Sequence, residues 1–316
     1  MSKIAVTSRS FSRHPVLRSE LQKIYPDVTF NDQGLVLAGV DLVDYLVGHT
    51  AAITALEAVN ETVLSALPDL KVISKYGVGF DMIDLDAMAR RGVRLGWTGG
   101  TNKRSVAELV ISSAIALLRH VPAATAEVRA GTWRQHLGKH LSGRTVGIVG
   151  CGHVGKDLAV LLRAFDCRVL AHDILDFPDF YSDNEIKPVT LDFLLENSDI
   201  VSLHLPLDDR TRNLIDARRL ALMKPDAILI NAARGGLVDE GALKSALREC
   251  RLAGAAFDVF AGEPPDDLEL LTLPNMIATP HIGGSAEEAI LNMGRAAIRG
   301  LKENRLPERG AFPDGW

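Results

Sequence analysis

Residues 144–173 constrain what this chain can fold into more than any other stretch: R-T-V-G-I-V-G-C-G-H-V-G-K-D-L-A-V-L-L-R-A-F-D-C-R-V-L-A-H-D. Gly150, Gly152 and Gly155 stand in the spacing G-x-G-x-x-G, directly after the apolar run 146–149 and before the helical pattern of Val154, Leu158, Leu161 and Leu162. That order predicts strand, tight turn, helix. Gly150 would make the turn, Gly152 would let the backbone approach a pyrophosphate, and Gly155 would let helix and strand pack closely. Free N–H groups at the helix start would hold the phosphates. A second apolar run, 168–171, leads to Asp173, where an acid is placed to bind the adenosine ribose through its 2′-hydroxyl and to repel a 2′-phosphate. The expected cofactor is NAD rather than NADP.

The surrounding chain alternates apolar runs with helical patterns. Strands are expected over 3–7, 28–30, 51–55 and 71–74, separated by helices over 15–24, 41–47 and 60–67. Long helices over 105–118 and 123–130 would link this first unit to the second. After the fingerprint come strands over 200–203, 227–230, 254–259 and 276–279, a helix over 240–247 and a last helix over 285–301. Such alternation argues parallel sheets covered by helices. The expected fold is therefore α/β, with two Rossmann-like or flavodoxin-like parallel-sheet domains and a cleft between them. Residues 1–99 plus 286–316 would form a discontinuous substrate-binding (catalytic) domain, and 100–285 the NAD-binding domain. The Pro- and Gly-rich tail from Arg305 is expected to be irregular.

A net charge of -5 over 316 residues gives no basic field for nucleic acid or an anionic membrane surface. No apolar run has the 18 or more residues of a membrane span, and the N-terminus lacks a signal-peptide core. Cys151, Cys167 and Cys250 have no metal-ligand spacing and are odd in number, which points to a reducing cytoplasm. Cys151, between the fingerprint glycines, is expected to be a small buried residue. His136 and His140 are four apart, but no Glu follows His136 and no third ligand is evident, so both are expected at the surface and no metal is expected.

Three strand ends carry polar groups out of keeping with their apolar surroundings: Arg234 in N-A-A-R-G-G, Glu263 in D-V-F-A-G-E-P-P and His281 in T-P-H-I-G-G. Parallel strands bring such ends to one sheet edge, where the nicotinamide would lie. A guanidinium grips a carboxylate with two prongs. Histidine can give a proton to a carbonyl as hydride arrives and take it back in reverse, while a carboxylate orients the imidazole and favours its protonated form. In the first half, Tyr76, Gly77, Val78 and Gly79 form a glycine-bearing loop past a strand, suited to turning N–H groups toward an anion, with Lys75 adding a cation. His204 ends a strand and would line the cofactor cleft without being catalytic.

Taken together, these residues resemble the D-isomer-specific 2-hydroxyacid dehydrogenase family over nearly the whole chain. The resemblance rests on G-V-G-F-D-M-I-D at 77–84, S-V-A-E-L at 105–109, the fingerprint, N-A-A-R-G-G-L-V-D-E at 231–240, A-F-D-V-F-A-G-E-P-P at 256–265 and T-P-H-I-G-G at 279–284. It implies Arg234 as ligand of the substrate carboxylate and carbonyl, Glu263 as partner of the histidine, and His281 as acid/base. It also implies Thr98, His153, Val154, Asp173, Ala232, Asp258 and Gly284 around NAD, and a homodimer built mainly through the cofactor domain. Glu263, where related formate dehydrogenases carry glutamine, argues against formate. The chain is most similar to the phosphoglycerate dehydrogenase branch, which carries a basic residue at the position of Lys75. Met82 and Gly99 depart from the family's usual Asn and Pro, leaving the small hydroxy acid open. The regulatory domain of longer members is expected to be absent. The same resemblance implies an alternative, an NAD(H)-sensing corepressor, which the lack of a long disordered extension disfavours.

Overall fold

A computed structural model describes residues 3–308. The chain divides into two compact units, one formed by residues 1–102 and 287–316, the other by residues 103–286.

In the first unit, β1 (Ile4–Val6), β2 (Val28–Phe30), β3 (Ala51–Thr54), β4 (Val72–Lys75) and β5 (Arg94–Gly96) form a parallel sheet in the order β2-β1-β3-β4-β5. The strands read as short apolar runs because both faces are covered. Ile4, Val6 and Ile53 face Phe11, Leu17, Leu21, Ala297 and Ile298, while Ala5, Ala52 and Ile73 face Leu42, Leu46, Leu64 and Met88. This is the two-residue alternation of a strand.

The helix Glu287–Gly300 belongs to this unit, although residues 97–286 separate it from β5. Ser74 Oγ donates to the Ala297 carbonyl at 2.6 Å, and a Cβ on Gly96 would collide with the Gly300 backbone. The tail departs from expectation at its start. Arg305 bonds to Leu95 in antiparallel fashion, at 2.7 and 3.0 Å, because β5 is an edge strand with unpaired backbone groups to offer. Residues 306–308 have no regular structure, as expected, and 309–316 lie outside the described residues.

The second unit holds β6 (Thr145–Val149), β7 (Arg168–His172), β8 (Lys187–Pro188), β9 (Ile200–Leu203), β10 (Ile228–Asn231), β11 (Gly254–Phe257) and β12 (Met276–Ala278). They form a parallel sheet in the order β12-β11-β10-β9-β6-β7-β8. From β6 the chain winds outward through β7 and β8, then returns to β9 and winds the other way. The reversal lies between β6 and β9, the switch point at which open sheets of this kind bind ligands beyond their carboxyl ends. Every residue of β6, β9, β10 and β11 is buried. Among the described residues no single helix is long and apolar enough to cross a membrane.

Candidate active site

The fingerprint forms the carboxyl end of β6. Gly150 has φ 95°, which glycine adopts without strain, and its N–H reaches the His172 carbonyl at 2.8 Å. A Cβ on Gly155 would run into the Gly150 carbonyl oxygen, so close helix–strand packing depends on glycine there. At Gly152 a Cβ would meet nothing within 4 Å, which leaves the turn open on the side a phosphate would approach. The helix His153–Leu162 starts at this glycine and receives no capping side chain, whereas Asn60, Asp84, Thr190 and Asp239 each cap their own helices. An uncapped helix start is an anion site in waiting.

Asp173, one residue past β7, faces this turn. Its Oδ2 accepts from the Cys151 N–H at 2.6 Å and its Oδ1 from the Leu175 N–H at 2.9 Å. A carboxylate oxygen accepts more than one hydrogen bond, so the same group can brace the turn and receive a ribose hydroxyl. The open cradle, the uncapped helix and the acid together fit NAD. Cys151 is fully buried, and burial, reinforced by the charge of Asp173, pushes its thiol up to about 11. It therefore stays protonated at neutral pH and is a packing residue. His204, just past β9, keeps some exposed surface, but its imidazole is enclosed, with Nε2 2.9 Å from Ser202 Oγ, and burial pushes it down to about 3. It stays neutral and cannot exchange protons near pH 7.

The remaining polar groups gather beyond β10, β11 and β12. Asn231, buried at the end of β10, donates from Nδ2 to the Arg234 carbonyl at 2.9 Å and accepts at Oδ1 from the Ala233 N–H at 3.2 Å. It shapes the loop that presents Arg234, whose guanidinium also donates to the Ala233 carbonyl at 2.6 Å. His281 Nδ1 lies 2.9 Å from Glu263 Oε2, and the other carboxylate oxygen accepts from the Phe260 N–H at 3.2 Å. The histidine adopts a left-handed φ of 55°. That conformation costs a residue with a side chain on the order of 1 kcal/mol, so the loop around it must hold it there.

Asp258 does so. It is buried, and its carboxylate accepts from Thr279 Oγ1 at 2.6 Å, the Ile282 N–H at 2.8 Å and the Gly283 N–H at 2.7 Å. Its own carbonyl takes the His281 N–H at 2.9 Å. Ser105 Oγ donates to the Gly283 carbonyl at 2.6 Å from the start of the helix Lys103–Leu118.

Two parts of the site have no signal in the sequence. A Cβ on Gly235 would overlap the Phe260 carbonyl, so the loops bearing Arg234 and Glu263 touch through glycine. Asn231 reads from the sequence only as a strand end. The expectation for His136 needs correction. Its side chain is mostly covered, with Nε2 2.7 Å from Glu127 Oε2 and its ring 5.6 Å from that of His120, because the chain after the helix Val121–Arg129 folds back on it. His140 is exposed, and among the described residues no cluster could hold a metal ion.

Of the residues assigned to the first unit, Lys75 is buried at the end of β4, Tyr76–Gly79 follow it, and Thr98 lies past β5.

Comparison with known proteins bears on this geometry. The profile of the D-isomer specific 2-hydroxyacid dehydrogenase NAD binding domain matches residues 111–283, within the second unit. D-3-phosphoglycerate dehydrogenase of Mycobacterium bovis is 38% identical over 286 residues, covering 90% of this chain and 53% of that protein. The chain thus spans about half the length of that relative. Hydroxypyruvate reductase of Thermotoga maritima is 36% identical over 282 residues, covering 88% of this chain and 85% of its own. Among solved structures, D-lactate dehydrogenase of Aquifex aeolicus, complexed with NAD and lactic acid, superposes with a TM-score of 0.81 at 26% identity, covering 95% and 94% of the two chains.

Proposed function

We propose, for a chain that belongs to the D-isomer specific 2-hydroxyacid dehydrogenase family, that it interconverts a small D-2-hydroxy acid and its 2-keto acid with NAD as hydride carrier. Bound NAD would supply the acceptor for the hydride of C2 in the hydroxy acid and, reduced, its donor in reverse. Everything else falls to the protein's own groups. Arg234 holds the substrate carboxylate and polarises the carbonyl. His281 accepts the hydroxyl proton at Nε2 as the C2–H bond breaks and the C=O bond forms, and gives it back in reverse. Glu263 fixes the ring through Nδ1. His153, Val154, Ala232 and Gly284 surround the cofactor, and Asp258 acts through the loop it braces.

The observation that carries this reading is the 2.9 Å bond between His281 Nδ1 and Glu263 Oε2. It commits one ring nitrogen to a carboxylate and leaves the other for proton exchange. The substrate is taken to be of the size named for the relatives, 3-phosphoglycerate or a similar hydroxy acid. NADH oxidation with glyoxylate, pyruvate, hydroxypyruvate, 2-oxoglutarate and 3-phosphohydroxypyruvate tests it. Tight NADH binding without turnover of any of them would sink the enzyme reading.

Asp173 gives a separate prediction. Asp173→Ala should weaken NADH binding by about tenfold or more, the scale of a hydrogen bond to a charged group. It should also bring NADPH closer to NADH in kcat/KM, since the group that repels a 2′-phosphate is gone. An unchanged cofactor preference would reject the role.

We place the protein in a reducing cytoplasm, where its three cysteines stay unpaired. A homodimer is also proposed. In its support, the helix Val121–Arg129 has no buried residue, and Val121, Val128, Trp133 and Leu137 are exposed along it and just beyond. An apolar face of this kind is what a second copy would cover. Sedimentation as a monomer at micromolar concentration would exclude it.

A further inference from the structure

We infer that Lys75 and Trp97 are positioning residues that aim the backbone N–H groups of Gly77 and Gly79 at an anion, which under the proposed function is the substrate's carboxylate. The inference rests on that reading for the identity of the anion, but its geometry lies wholly within the first unit.

Lys75 is the last residue of β4 and pairs in register with Thr54 of β3. Side chains alternate along a strand, so Lys75 shares a face with the buried Ile73 and points inward. Its ammonium donates to the Ala55 carbonyl at 2.5 Å and to the Tyr76 carbonyl at 3.2 Å. From the end of β5, the Trp97 indole N–H donates to the Val78 carbonyl at 2.8 Å. The Trp97 ring is set by an edge-on contact with Phe80, with centroids 5.2 Å apart. Two carbonyls of the loop, at 76 and 78, are thereby tied to side chains anchored in the unit.

The rest follows from the planarity of the peptide bond. In a trans peptide the N–H of one residue points opposite to the C=O of the residue before it. Holding the Tyr76 oxygen on Lys75 turns the Gly77 N–H away from Lys75, and holding the Val78 oxygen on Trp97 turns the Gly79 N–H away from Trp97. Neither N–H has an acceptor among the described residues. Gly77 has φ 116°, so the peptide can take this orientation only with glycine there. The loop is thus a pair of outward donors with a buried ammonium behind it, a backbone nest for an anion. The Lys75 charge acts from below the loop, through the peptide it holds.

The test uses Trp97→Phe, which keeps an aromatic ring beside Phe80 and removes the indole N–H, with Lys75→Met and Lys75→Arg as a second pair. KM for the best 2-keto acid and the dissociation constant of oxamate, titrated into NADH-loaded protein by NADH fluorescence, should both rise about tenfold in Trp97→Phe, the scale of one lost hydrogen bond to a charged group. The kcat should stay within about twofold and the NADH affinity should not change, because the reacting groups are untouched. Lys75→Met should show the same split, and Lys75→Arg, which keeps charge and donors, should recover most of it. Unchanged oxamate affinity in Trp97→Phe and Lys75→Met, a fall in kcat at constant KM, or failure of oxamate to bind the NADH-loaded wild type would each overturn the inference. If the wild type binds oxamate yet reduces no keto acid, the dehydrogenase reading fails while the oxamate ratios still decide the role of the two clamps.

Discussion

Replacing His281 by alanine should lower kcat by about 10²- to 10⁴-fold, the usual worth of a positioned proton donor and acceptor. The expectation rests on how heavily the protein invests in placing this one ring. Nδ1 is occupied by Glu263, which is itself held by the Phe260 N–H. The backbone is kept in a left-handed conformation by bonds from the His281 N–H to the Asp258 and Thr279 carbonyls, at 2.9 and 3.0 Å. The loop is tied at three further points to the buried Asp258 carboxylate. The substitution removes the proton carrier and leaves the backbone bonds that hold the loop in place, so the variant should fold and bind NADH normally. His204 cannot take over, because its enclosed ring stays neutral. Steady-state turnover at saturating keto acid decides the matter, and a rate near that of the wild type would show that the proton moves through another group.

Much of this site was legible in the sequence for one physical reason. Strands buried on both faces, such as β6, β9, β10 and β11, are written largely as apolar runs, so polar residues in the loops beyond strand ends stand out. Arg234 and Glu263 lie beyond β10 and β11, and Asp173 and His281 beyond β7 and β12. The helix Leu85–Arg91 was missed although its ends are marked by Asp84, which caps it, and Gly92 at φ 68°, because seven residues are too few to display a period. The helix Leu191–Asn197, capped by Thr190, escaped for the same reason.

What could not be read depends on contacts between residues distant in sequence. The resemblance attaches Asp258 to the cofactor, but its oxygens go to residues 279–283, a choice fixed only when β11 and β12 pair. Trp97 reaches Val78 only because β5 lies beside β4. Lys75 is an intermediate case. Its distance of two residues from Ile73 places it on an inward face, so the cation expected beside the loop lies buried at the end of β4.

The same reasoning predicts that the smallest change with a large effect is Gly235→Ala. A Cβ at this position would overlap the Phe260 carbonyl, with the peptide nitrogen of Ala261 2.6 Å away. Both obstacles are backbone, so no rotamer change relieves them and the two loops must part. One loop carries Arg234, whose carbonyl is fixed by Asn231. The other carries Glu263, and the displaced residue, Phe260, is the one whose N–H holds that carboxylate. The shift therefore passes from Phe260 to Glu263 and on to the His281 ring, separating the proton carrier from the carboxylate grip. Misplacement of reacting groups by about 1 Å costs on the order of 10²-fold, so kcat/KM should fall by at least that factor. Overpacking should also cost about 1–3 kcal/mol of stability, visible as a lower melting temperature. NADH affinity should fall less than kcat/KM, because the glycine turn at β6 is separated from β10 by β9 and only Ala232 of the cofactor's surroundings lies on the displaced loop. Gly262→Ala is the control. It lies one residue from Glu263, its φ is not in the left-handed range, and its Cβ would meet nothing within 4 Å, so it should behave as wild type. A folded Gly235→Ala protein with kcat/KM close to that of Gly262→Ala would mean that Arg234 and Glu263 need not be held against one another for the reaction to proceed.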